Sequence, residues 1–138
     1  MNQNYTFAAQ ERLQESVQFA QNSGHATIEP LHLLRSILHA SESINQSLLE
    51  RAGANIQVLK NDVDNAVSKL AKVSGNTAEP WASQELAKVL QSAEKAMKNM
   101  GDSYTTEEHL MIGLLESAKS LEGIFKAGNI SLKSYEEA

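Results

Sequence analysis

The sequence predicts an all-α domain of about eight helices, built as two pseudo-twofold-related four-helix repeats. Three observations carry this. Apolar residues recur at helical spacing through most of the 138 residues. No run alternates apolar and polar residues between turn signals, so almost no sheet is expected. The chain also resembles itself: with His32 placed over His109, Leu33 and Leu34 fall on Leu110 and Met111, Ile37 and Leu38 on Leu114 and Leu115, Gly24 on Gly101, Leu13 on Leu90 and Thr6 on Ser83. Further along, the register slips by about two residues, with Gly53 set over Gly128.

Each element follows from periodicity and punctuation. Thr6 can cap a first helix that carries Ala9, Leu13, Val17 and Ala20 on one face. Gly24 suits the left-handed residue that ends it. Pro30 suits the first turn of the next helix, where its missing N–H costs nothing. That helix holds Leu33, Leu34, Ile37 and Leu38. Leu48 and Leu49 lie in a short helix closed by Gly53. Asn55 can cap a longer one bearing Ile56, Leu59, Val63, Val67 and Leu70.

A segment at 74–80 has a linker's composition and divides the single domain, 1–138, into repeat 1 (about 5–73) and repeat 2 (about 81–138). In repeat 2, Ser83 caps Leu86, Val89, Leu90, Ala93 and Met97, and Gly101 ends that helix. Leu110, Met111, Leu114 and Leu115 form the next stripe. Ile124 and Phe125 precede Gly128, and a last helix begins near Ser131. Trp81 is read as packing the linker onto the core, with a place on a binding surface as the alternative.

Composition narrows the function. The absence of cysteine removes disulfides, thiolate zinc sites and cysteine catalysis. A net charge of −5 argues against nucleic acid as the partner. No apolar run approaches a membrane span and the N-terminus lacks signal-peptide features, so a soluble, cytoplasmic protein is expected. There is no GxxxxGK[ST], GxGxxG or GxSxG. Glu29 and His32 form the ExxH pair of di-iron bundles, but Thr106 stands at the repeat position of Glu29, so the second pair is missing. No metal, cofactor or catalytic residue is expected, and His32 and His109 are read as structural. At the start of the sixth helix two caps are open. If Thr105 caps, Glu108 closes a capping box; if Thr106 caps, Glu108 is free to face a ligand.

The runs at 5–13, 24–25 and 28–34, followed by 101–104 and 108–110, resemble the Clp N-terminal repeat, in the form carried by ClpB/Hsp104-type disaggregases. The resemblance extends from about Tyr5 to about Tyr135. It implies an all-helical, non-enzymatic domain joined by a flexible linker to a hexameric ATPase ring whose two modules are absent here. The chain is then similar to a dissected N-domain or to a short stand-alone homologue, and a last helix that stops at Ala138, where the family's runs on, favours the first. The implied function is recognition of exposed hydrophobic segments in unfolded or aggregated polypeptides, for extraction by that ring. The alternative is docking of a folded adaptor, as in ClpC/ClpA-type protease ATPases. By motif, the family's substrate-handling threonine, aspartate and glutamate fall on Thr6, Asp102 and Glu108. Its shallow groove falls near Leu86, Val89 and Leu90, with Ser92 and His109 where some relatives are apolar. The isolated domain is expected to be a monomer.

Overall fold

A computed structural model describes residues 4–41, 43–72 and 79–138. Among them are eight α-helices: α1 (Phe7–Asn22), α2 (Pro30–His39), α3 (Ile44–Arg51), α4 (Ile56–Ser68), α5 (Gln84–Asn99), α6 (Glu107–Ser117), α7 (Glu122–Ala127) and α8 (Leu132–Glu136). Most of the expected linker, 74–78, lies outside the described residues.

The caps follow local chemistry. The side chains of Thr6, Asn55, Ser83, Thr106 and Ser131 each accept a backbone N–H of the first turn of their helix. Gly24, Gly53 and Gly101 take positive φ just past α1, α3 and α5. The slip between copies is smaller than the sequence match implies. The left-handed residue after α7 is Asn129 (φ 59°), not Gly128, so Gly53 corresponds to Asn129. Gly128 is small for another reason: a Cβ there would lie 2.3 Å from Leu59 Cδ2 on α4.

α2 and α6 form the centre, where Leu33, Leu34, Ile37, Leu110, Met111 and Leu114 are almost wholly buried. Each such side chain contributes about 2 kcal/mol through burial. α1 packs on α2, and α5 packs more intimately on α6. Gly113 permits the latter, since a Cβ there would meet the Val89 carbonyl oxygen at 2.4 Å. Asn45 on α3 is fully buried, donates to the Glu107 carbonyl (3.0 Å) and accepts from the Tyr135 hydroxyl, tying α3, α6 and α8 together.

The copies are joined by an exchange of their leading segments. The Thr6 N–H donates to the Thr105 carbonyl (3.0 Å), and its counterpart, the Ser83 N–H, donates to the Ile28 carbonyl (3.0 Å). The second contact extends into a parallel pair of two-residue strands, β1 (Thr27–Ile28) and β2 (Trp81–Ala82). Strands this short carry no alternation, so no sequence pattern announces them. Trp81 is 77% exposed, which overturns the expectation that it packs the linker onto the core. Asn129 Nδ2 donates to the Gly53 carbonyl (3.0 Å), so corresponding turns of the two copies also touch.

Candidate functional site

The site residues are best built outward from His109, which is 1% exposed. Its Nδ1 accepts the Thr106 N–H (2.9 Å), while Thr106 Oγ1 accepts the His109 N–H (3.3 Å). A ring nitrogen that accepts a backbone N–H carries no proton, so the proton of the neutral ring sits on Nε2. Nε2 lies 2.9 Å from Asp102 Oδ2 and donates to it. Asp102 follows the left-handed Gly101, and its own N–H returns to the Met97 carbonyl (3.0 Å). The Asp102 carboxylate is thus held by a buried ring while its side chain stays 46% exposed.

Thr106 is the cap of α6, which decides the open alternative: Glu108 is outside the capping box. The two glutamates of this first turn differ. Glu107 is buried and meets Arg12 Nη1 at 3.5 Å, an ion pair between α1 and α6. Burial pushes the Glu107 carboxyl up; Arg12 opposes this, and Glu11 and Glu15 add to it. Glu108 is half-buried at the positive end of the helix dipole. Burial, then Glu108 and Glu107, pushes the Tyr135 phenol up.

Thr6 joins this framework through the backbone. Its N–H meets the Thr105 carbonyl, and the Thr105 N–H donates to the Asn4 carbonyl (2.7 Å). Its hydroxyl is engaged as the α1 cap, accepting the Ala9 N–H at 3.2 Å. Thr6 and Asp102 therefore belong to one hydrogen-bonded unit made from segment 4–6 and segment 102–109, although the sequence places them in different copies; Glu108 lies in the same segment, in the first turn of α6, without a bond into that unit among the described residues.

The expected apolar groove is not open. Leu86 is 3% exposed and Val89 0%, because the i, i+3, i+7 face of α5 is pressed onto α6 at Gly113. Leu90 is half-buried. Ser92 shares a hydrogen bond with Ser117 on α6, and His109 is spent on Asp102. Exposed apolar side chains lie elsewhere: Trp81 (77%) and Ile44 (52%), and, flanking Thr6, Thr105 and Asp102, Phe7 (76%), Tyr104 (56%) and Met100 (49%). Phe7 adjoins Thr6, Tyr104 adjoins Thr105, and Met100 lies two residues before Asp102. Sequence reading missed all three. The available signal was that Phe7 stands off the Ala9–Leu13 stripe and Tyr104 sits in a turn.

Among the described residues no helix is long and apolar enough to cross a membrane.

A relative from Bacteroides thetaiotaomicron, the chaperone protein ClpB, is 33% identical over 135 residues, which is 98% of this chain and 15% of that protein. The fold is similar to the Hsp104 N-terminal domain of Candida albicans (TM-score 0.87, 22% identity, 98% of this chain and 88% of that one). It is also similar to a ClpV N-domain solved in complex with a VipB peptide (TM-score 0.73, 17% identity, 91% and 79%). The model of the Clp repeat (R) N-terminal domain matches residues 4–127, and the chain therefore belongs to the Clp N-terminal repeat family.

Proposed function

We propose that this chain is the polypeptide-capturing N-terminal domain of a ClpB-type disaggregase. It takes exposed hydrophobic segments of unfolded or aggregated proteins and passes them to an ATPase ring in the same protein. The chain spans 15% of the length of its ClpB relative, so ATP-driven extraction belongs to the remainder of such a protein. One observation carries the reading: Phe7, Tyr104 and Met100 are exposed beside an Asp102 carboxylate fixed by a buried histidine. Unfolded chains offer apolar and charged groups together, and a surface with isolated apolar side chains beside carboxylates complements both. Small apolar contacts bind weakly once the substrate's ordering cost is subtracted, which suits a captor that must let go. That a ClpV N-domain of the same fold takes a peptide supports the reading.

The test is an NMR titration of the isotope-labelled domain with a permanently unfolded polypeptide, reduced carboxymethylated α-lactalbumin. Fast-exchange shifts are expected at Thr6, Phe7, Met100, Asp102, Tyr104 and Glu108. Asp102→Asn, which keeps an acceptor for His109, should weaken them. No shifts at high concentration would overturn the proposal and favour docking of a folded adaptor.

A further inference from the structure

We infer that the cleft between the end of α1, α2 and α4 in the first repeat is a binding site for a small carboxylate bearing an apolar group. The cleft has a volume of about 260 Å³ and is walled by Phe19 and Val67, with His25, Arg35, Asp64 and Lys72 facing it. This is below the roughly 300 Å³ at which drug-sized pockets begin, so the ligand is small.

A chain of fixed protons ends in the wall of this cleft. The Glu29 N–H donates to His32 Nδ1 (2.8 Å), which puts the His32 proton on Nε2. His32 Nε2 lies 2.9 Å from His25 Nδ1 and donates to it, which puts the His25 proton on Nε2. His25 is 6% exposed, and its Nε2 has no hydrogen-bond partner. The relay ends on a buried donor that lacks an acceptor, a costly state for a native side chain. The second copy runs the same relay from Thr106 to His109, but there it ends on the protein's own carboxylate, Asp102, which occupies the repeat position of His25.

The charges around His25 fit an anion. The Arg35 guanidinium lies 3.8 Å above the Phe19 ring centre, and its ion pair with Asp64 is loose at 3.9 Å. Asp64 makes its shorter contact, 3.1 Å, with His39. With neutral histidines, Arg35 and Lys72 outweigh Asp64 by one positive charge. A carboxylate would balance that charge beside Arg35 and Lys72 and, once the side chains covering His25 Nε2 move aside, accept its N–H, while Phe19 and Val67 receive its apolar group. In the second copy Ala96 and Ile112 stand at the positions of Phe19 and Arg35, so the ring and the guanidinium of this cleft are not repeated there.

The probes are N-acetyl-leucine, its amide, and an acetylated tripeptide ending in leucine with a free carboxylate. Each is titrated into labelled protein while the His25 ring nitrogens and the Phe19 and Ser68 amides are followed. Saturable shifts with N-acetyl-leucine and none with the amide are expected. Lys72→Gln, at an exposed side chain, should weaken binding by about threefold, and Arg35→Gln by at least as much. Binding of the tripeptide as well would assign the site to polypeptide C-termini; binding of the monomer alone would assign it to free carboxylates. Equal shifts with the amide, no shift at His25 up to the probe's solubility, or wild-type affinity in both variants would overturn the proposal. The outcome is independent of the polypeptide titration, which reads a different surface.

Discussion

The two copies use the same histidine in the same way and then differ in what that histidine holds. His32 and His109 each accept the N–H at the start of their helix through Nδ1. Beyond that bond, His32 holds a second buried histidine, whereas His109 holds a half-exposed carboxylate. The helix interfaces differ as well. Ser36 on α2 donates to Glu15 on α1 (2.6 Å), while its counterpart Gly113 lets α6 lie against the α5 backbone. Duplication has kept the groups that shape the backbone and has varied those that face solvent or the neighbouring helix.

The sharpest way to break this comparison is at the interface pair. Gly113→Ala should cost about 3 kcal/mol, because its Cβ would press on backbone atoms of Val89 and Ala93, which cannot turn aside. Ser36→Ala loses only one part-buried hydrogen bond, about 1 kcal/mol. Urea denaturation of both variants measures the difference, and equal costs would show that the interfaces are not distinct.

Acid should expose the first copy's histidine pair. Burial, then His25, lowers the His32 pKa from 6.5 to about 4, and His25 moves in the same direction through burial and Lys72. Between those values the unfolded state binds the proton and the folded state does not, so stability rises with pH. It is therefore lost as pH falls from about 6.5 through about 4, by roughly 3 kcal/mol. Urea midpoints across that window should decline, and less steeply in His32→Gln. A flat wild-type profile would contradict the buried neutral pair.

The smallest effect separates two roles of one residue. Thr6→Ala should cost about 1 kcal/mol through loss of the α1 cap, and Thr6→Ser almost nothing. If polypeptide binding falls in Thr6→Ala and is kept in Thr6→Ser, Thr6 acts through the helix start. If binding falls in both, the threonine methyl group makes contact.

What the sequence revealed depended on range. Caps, left-handed glycines and core stripes are local, and Thr6, Ser83, Asn55 and Gly101 do what their types and positions suggest. The fate of Leu86 and Val89 was not local. Their period shows that they face one side of α5, but only Gly113, some two dozen residues away, determines that α6 fills that side. The pairing of Thr6 with Thr105 was equally hidden, since it rests on backbone groups that every residue carries. Gly128 misled for a related reason: a glycine demanded by the bulk of Leu59 is spelled the same way as one demanded by a turn.

The exchange of leading segments has a kinetic consequence. Bringing Tyr5 to Thr105 closes a loop of about 100 residues, and the entropy of that closure is spent before the contact returns anything. Neither copy holds both halves of its own pairing, so neither can complete its edge before the other has formed. The chain should therefore fold in one concerted step, with the Thr6 and Ser83 amides among the last to gain protection from hydrogen exchange.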